Sequence, residues 1–361
     1  MNRLVIIGNG FDLAHGLKTS YQNFINWYWN QWGMRLLTAS TYRESDGLCS
    51  FELMNRVNGH YSTWFQFLQC HYITKDDPFQ PWDGNKVVEQ IKQNKYCNFQ
   101  YTSRFLERID QNIETKGWVD IENEYYHLLV HVEERGCSYQ ELNNHLDILR
   151  EKLIGYLQTV ENTEIQIIPE IKDKIYRPFD MNELSIDYSY LPEEECSLSN
   201  IMLLNFNYTK TPEMYLKDKT TINYIHGKLD NPESVIFGYG DELDEDYKRL
   251  KNYNDNECLR HMKSIRYLDA GNYRNMLQFI EAGPFQVCIM GHSCGNSDRT
   301  LLNTIFEHRN CVSVKPYYYI KDNGEDNYMD LSINISRNFN DMKLMRDRVV
   351  AKPYTEPLVS K

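Results

Sequence analysis

Hydrophobic positions fall into two regimes along the chain. Arg3–Ile7 (RLVII) is an almost continuous apolar run closed by glycine. That is the pattern of a buried parallel strand with helices over both faces. Gly8-Asn9-Gly10 breaks the run, and Lys18–Trp32 then sets Tyr21, Phe24, Ile25, Tyr28 and Trp32 at helical spacing. The opening therefore predicts strand, glycine turn, helix. Between residues 33 and 198 the pattern changes to long amphipathic stretches with few β-branched runs. Phe51–Tyr72, Tyr101–Ile113, Val119–Glu134 and Tyr139–Thr159 each carry a helical period, and Ser138 with Glu141 makes a capping box ahead of the last. Leu191–Ser199 (LPEEECSLS) is acidic and aperiodic, which predicts an exposed connector.

Short apolar, β-prone runs return after residue 200: Ile201–Leu204, Thr221–Ile225, Ser234–Phe237, Val287–Met290 and Val312–Ile320. Helical patterns at Leu259–Ile280 and Arg299–His308 separate some of them. Strands alternating with helices imply a mostly parallel sheet. The first strand shares their character and is assigned to the same sheet. The predicted class is α/β, a Rossmann-like sheet flanked by helices with a large helical insertion after the first strand–helix unit. Residues 1–32 and 200–361 form the predicted nucleotide-binding core, and 33–199 the insertion.

Composition narrows the function classes. The 361 residues are 41% hydrophobic and 25% charged, an ordinary globular balance. A formal net charge of −12 disfavours nucleic acid as a partner, because binding its backbone needs cationic surface. Nine Cys are scattered without a CxxC pair or zinc-type spacing, so no metal site is predicted and a reducing compartment fits. No apolar run reaches membrane length, and the first one is too short for a signal peptide. A cytoplasmic protein with no membrane partner is expected. The 13% aromatic content, with 27 Tyr, points to aromatic interfaces and a homo-oligomer.

Candidate chemistry sits where predicted strands end, the edge at which open α/β sheets hold ligands. Gly8-Asn9-Gly10-Phe11-Asp12 follows the first strand; glycines there let a backbone approach phosphate. It is not the dinucleotide G-x-G-x-x-G, since Leu13 stands at the last position. Asn205-Phe206-Asn207-Tyr208-Thr209 and His226-Gly227 follow the next two strands, and a strand-end His suits general-base work. Gly291-His292-Ser293 and Gly295-Asn296-Ser297-Asp298 follow Val287–Met290, with Ser297 a candidate helix cap. Gly291–Gly295 also spells the hydrolase elbow G-x-S-x-G, but the hydrolase order needs an acid and then a His, and the only His after Ser293 is His308, within the very next predicted helix.

LVIIGNGFDLAHGLKTSYQNF, FNYT, YIHGKLD, IFGYGDE and GHSCGNSDRTLL occur in that order. Together they resemble the bacteriophage abortive infection AbiH family, and WVDIENEYY at 118–126 is similar to it as well. The order is more distantly similar to sirtuin-like NAD-consuming domains. In that comparison Gly8 and Gly10 match phosphate-proximal glycines, Asn207 the catalytic asparagine and His226 the catalytic histidine. Gly291, Ser293 and Asp298 match the late nucleotide-binding turn. The resemblance implies a Rossmann-like sheet and glycosidic cleavage of NAD. Three positions depart from it: Asp12 replaces a small residue, Asn207-Tyr208-Thr209 lacks the usual Asp, and His292 replaces Tyr. An acid beside the glycine turn leaves a nucleoside, another nucleotide or a nucleic acid end open as ligand.

The expected reaction is hydrolysis of an N-glycosidic bond, with NAD a substrate rather than a cofactor. Asn207 orients ribose hydroxyls or water, His226 is the general base, and Asp12 meets a ribose hydroxyl or the developing cation. Gly8, Asn9, Gly10, Gly291, His292, Ser293 and Asp298 hold the nucleotide. A phage-derived trigger is the further expected partner. Two alternatives are a nucleotide-sensing module without turnover and a metal-dependent nuclease using Asp12, His226 and the acids at 241–246.

Overall fold

The computed structural model describes residues 1–54, 61–71, 83–116, 120–132, 137–188 and 197–360. Its strands are β1 (Asn2–Ile7), β2 (Arg43–Ser45), β3 (Cys49–Leu53), β4 (Cys97–Tyr101), β5 (Ile201–Asn205), β6 (Thr220–Tyr224), β7 (Phe285–Met290) and β8 (Cys311–Tyr317). The chain divides into two units, Met1–Thr19 with Leu157–Lys361, and Ser20–Tyr156.

In the first unit five parallel strands form one sheet in the order β6-β5-β1-β7-β8. Every residue of β1 is buried. Leu4 and Ile6 face a core with Met202, Leu204, Val287, Ile289 and Leu302, whereas Val5 and Ile7 face Leu203, Met290, Ile171, Ile175 and Tyr215. Burial on both faces explains why β1 reads as an unbroken apolar run rather than an alternating one. Numbered by appearance in this sheet, the order is 3-2-1-4-5, the Rossmann order 3-2-1-4-5-6 short of its sixth strand. Register then aligns the strand ends: Ile7 lies opposite both Asn205 and Met290, and Asn205 opposite Tyr224. The segments after β1, β5, β6 and β7 therefore emerge along one edge.

The glycines after β1 do a different job from the one expected. There is no open turn; the helix Asn9–Ala14 starts directly after Gly8. A Cβ on Gly8 would fall 2.5 Å from the His292 Cα, and one on Gly10 would fall 2.9 Å from the Gly291 Cα. Gly291 has φ +75°, and a Cβ there would fall 2.1 Å from the Phe11 amide nitrogen. The β1 and β7 ends are thus sealed backbone to backbone, with the Gly10 N–H donating to the Gly291 carbonyl at 2.8 Å.

The second unit holds the helix Tyr21–Thr38, capped by the Ser20 hydroxyl accepting from the Asn23 N–H at 3.1 Å. It also holds an antiparallel sheet, β2-β3-β4, that the periodicity did not announce. Phe51–Leu53 belongs to β3, not to a helix, and the helix of that stretch starts at Trp64. Tyr101 ends β4, and the next helix runs Arg104–Lys116. Asp120 caps the helix Ile121–Val130 by accepting from the Asn123 N–H. Trp118 and Val119 of WVDIENEYY lie outside the described residues, as does most of the Leu191–Ser199 connector.

Three expectations need correction. The helix Tyr21–Thr38 belongs to the second unit and residues 157–188 to the first, so the units do not divide at 32/33 and 199/200. Ser234–Phe237 is not a strand: the Ser234 and Val235 N–H groups donate to the Asn231 and Pro232 carbonyls in tight turns, and the Ile236 N–H donates to the more distant His226 carbonyl. Leu259–Ile280 is broken into the short helices Lys263–Arg266 and Tyr267–Asp269, then Asn272–Glu281. No helix among the described residues is long and apolar enough to cross a membrane.

The glycine seal makes a contrast that can be measured. Gly291→Ala is expected to cost about 3 kcal/mol or more in urea unfolding, from strain plus overlap. Gly155→Ala, in a helix with no atom within 4 Å of the new methyl, should instead stabilise by about 0.5–1 kcal/mol.

Candidate functional site

Two polar clusters stand at the strand ends, joined through the adjacent residues Phe206 and Asn207. The first lies between the ends of β1 and β5. The Asn207 side-chain amide donates to the Gly8 carbonyl at 3.0 Å, and its backbone N–H donates to Asn205 Oδ1 at 3.2 Å. Asn205 Nδ2 donates to the Thr209 carbonyl at 3.0 Å, which fixes the N-F-N-Y-T turn. Thr209 in turn donates its hydroxyl to Asp12 Oδ2 at 2.7 Å. The unusual N-x-N at a strand end is therefore spent on holding this turn against the first helix.

Asp12 is only 1% exposed, and its Oδ1 is buried with no hydrogen-bond partner. Burial raises its pKa from 3.8 to about 6, with the Thr209 bond opposing the rise. A buried acceptor without a donor is costly. It is the kind of atom that a ligand hydroxyl satisfies.

The second cluster lies past β6 and β7. Asp298 is buried, and Lys263 Nζ lies 2.9 Å from its Oδ1. His226 Nε2 lies 3.3 Å from the same oxygen and 3.2 Å from the Tyr267 hydroxyl. The Cys294 N–H donates to His292 Nδ1 at 3.0 Å, so the His292 proton sits on Nε2, 3.5 Å from Asp298 Oδ2. Phe206 packs edge-on against both imidazoles, with ring centroids 5.1 Å from His226 and 4.3 Å from His292. Burial alone would raise the Asp298 carboxyl; Lys263 and His226 outweigh it and hold Asp298 well below the ordinary carboxylate range. Burial lowers the pKa of His226, and Lys263 lowers it further, so its imidazole is neutral at physiological pH. A neutral His oriented by a buried carboxylate is a competent base.

Several expected ligand groups make contacts within the protein. Gly8, Gly10 and Gly291 make the backbone seal. The Gly10 and Phe11 amides are taken by the Gly291 and Gly8 carbonyls, so they offer no phosphate cradle. Asn9 is exposed and accepts from the Thr19 hydroxyl at 2.5 Å. Ser293 is exposed, with its carbonyl bonded to Asn334 Nδ2 at 3.0 Å. Asp298 turns inward as an anchor, and Ser297 makes no cap for the helix Arg299–Phe306. Asp241 pairs with Arg299 at 3.2 Å. The acids and histidine of the nuclease alternative are thus not gathered, and among the described residues no group of three His, Cys, Asp or Glu side chains could hold a metal.

Sequence reasoning missed Lys263 and Tyr267, and it named Thr209 only as part of the turn after β5. Lys263 lies within a plain H-M-K-S-I-R stretch, and its partner is 35 residues away. Thr209 carried a local signal, being the last polar residue of the turn after β5.

A family model described as bacteriophage abortive infection AbiH matches residues 4–319. No curated protein matches the chain in sequence.

Two stability measurements probe the clusters. The raised Asp12 pKa favours the protonated folded state, so the associated stability is intact below pH 3.8 and lost as pH rises through about 6. Asp12→Asn is expected to match the parent near pH 4 and to exceed it by up to about 3 kcal/mol at pH 7.5, in urea titrations. Lys263→Met removes one partner of a buried pair. It should cost about 3–5 kcal/mol and raise the His226 pKa, read by NMR of the imidazole protons.

Proposed function

The chain belongs to the bacteriophage abortive infection AbiH family, and we propose that it acts in anti-phage defence by hydrolysing the N-glycosidic bond of NAD at the ends of β1, β5 and β6. The observation that carries this reading is the buried, unpartnered Oδ1 of Asp12 beside Asn207. An acceptor in that state suits a ribose hydroxyl. With the Gly10 and Phe11 amides already bonded, the reading rests on ribose recognition and not on a phosphate cradle.

In the reaction the C1′–N bond breaks and its electron pair leaves with the nicotinamide nitrogen. Asp12, once ionised, stabilises the positive charge that develops on the ribose. Asn207 orients the hydroxyls. Water adds to C1′ and gives its proton to neutral His226, which Asp298 holds in place. Nicotinamide, ADP-ribose and a proton result, and loss of NAD halts the infected cell.

A sensing role without turnover draws on a different observation, the near-complete burial of His226 and the engagement of its Nε2 by Asp298 and Tyr267. Turnover separates the two readings.

Purified protein given NAD, alone and with extract of phage-infected cells, should release nicotinamide and ADP-ribose. Asn207→Ala and His226→Ala should each slow release by about a hundredfold or more while nucleotide binding to the His226 variant persists. NAD that stays intact in infected cells whose growth this protein has arrested would rule the reaction out.

A further inference from the structure

Away from the two clusters, the first unit has a groove of ≈ 590 Å³ along the outer edge of β6, with Ile222, Asn223, Tyr224 and Asn272 in its wall. That volume is typical of specific ligand sites. Among the described residues β6 pairs in the sheet only with β5. The Ile201 N–H bonds the Lys219 carbonyl at 3.0 Å and the Ile225 N–H bonds the Asn205 carbonyl at 3.1 Å, which fixes the phase of that pairing. Odd-numbered residues of β6 turn their backbone groups to β5, so Ile222 and Tyr224 turn theirs outward. The Tyr224 carbonyl is taken by Asn272 Nδ2 at 2.6 Å and the Gly227 N–H at 3.0 Å. Among the described residues nothing bonds the Ile222 N–H, the Ile222 carbonyl or the Tyr224 N–H.

Asn223 supplies an independent observation. Its side chain is 5% exposed, its Nδ2 donates to the Asn272 carbonyl at 2.7 Å, and its Oδ1 is buried with no partner. The amide cannot be turned over, because the Asn272 carbonyl only accepts and must face the nitrogen. The groove wall therefore holds a fixed acceptor waiting for an N–H.

We propose that this groove takes an extended peptide segment, which adds to β6 as a sixth strand and donates a side-chain N–H to Asn223 Oδ1. Outward N–H, C=O and N–H groups at strand spacing complement an extended backbone. The buried acceptor favours a side chain that carries an N–H donor, which Asn, Gln and Arg supply. Adding a strand here bears directly on the strand that delivers His226. The inference is independent of whether the neighbouring site turns over NAD.

The test uses the full chain and a library of N-acetylated, C-amidated hexapeptides carrying Asn, Gln or Arg at a central position. The best binder should lose about tenfold or more in affinity when N-methylated at the residue whose N–H reaches the Ile222 carbonyl. Methylation of the next residue, whose N–H points away, should change affinity by less than about twofold. Asn223→Ala should weaken that binder but not its analogue lacking the donor side chain. Failure of every hexapeptide to bind below millimolar concentration would overturn the proposal. So would binding that ignores the methylation phase, since that describes a small-molecule or nucleobase pocket instead. The methylation arm leaves the protein unaltered, so a folding defect cannot produce the result.

Discussion

The structure depends on one contact in which no side chain takes part. Gly8 and Gly10, after the central strand, press on Gly291 and His292 after its neighbour. Because all three glycines are bare, the β1 and β7 ends close to hydrogen-bonding distance. That closure removes the crevice which the strand order would otherwise place there. The open chemistry is displaced to the other side of β1, where Asn207 and Thr209 descend from β5 onto Asp12. Family membership and the Rossmann-like order are thus compatible with a site that lacks the usual phosphate loop.

Two buried carboxylates on this edge have opposite fates, and their partners decide which. Asp12 meets hydroxyls and amides, so burial wins and its proton leaves only near neutrality. Asp298 meets an ammonium and two imidazoles, so burial loses and it stays ionised. Divergence of this kind assigns roles: one group can change state during a reaction, while the other holds its neighbours in place. His226 takes its neutrality from the same arrangement, since desolvation and Lys263 act on it together.

Much of the sheet could be read from the chain alone because its strands are buried on both faces. RLVII, IMLL and VCIM have no other stable use for such uniform apolarity. Where the expectation failed, a local interaction overrode the pattern. Ser234–Phe237 is apolar enough for a strand, yet two of its amides bond within turns, and Ile236 reaches the core from irregular backbone. Phe51 sits in β3 between Phe99 and Trp64, a packing that a helical period can mimic over a few residues. The strand-end positions of Asp12, Asn207 and His226 were legible, since register follows from strand pairing. Lys263 and Tyr267 were not, because a long-range ion pair leaves no trace in local spacing. At the glycines the structure shows close backbone approach, and phosphate binding calls for the same residue, so local sequence does not separate the two.

The strand at the heart of the sheet is made first, and both strands that flank it are made late. β1 ends at Ile7, but its neighbours begin at Ile201 and Phe285. During synthesis β1 therefore emerges before the whole of the second unit and before either strand that flanks it. The second cluster cannot assemble before residue 298, because Asp298 is needed to seat His226. A nascent or prematurely terminated chain consequently carries no finished site. In a member of an abortive infection family, this ordering withholds the seated His226 from fragments, and it is built into the topology at no cost in extra residues.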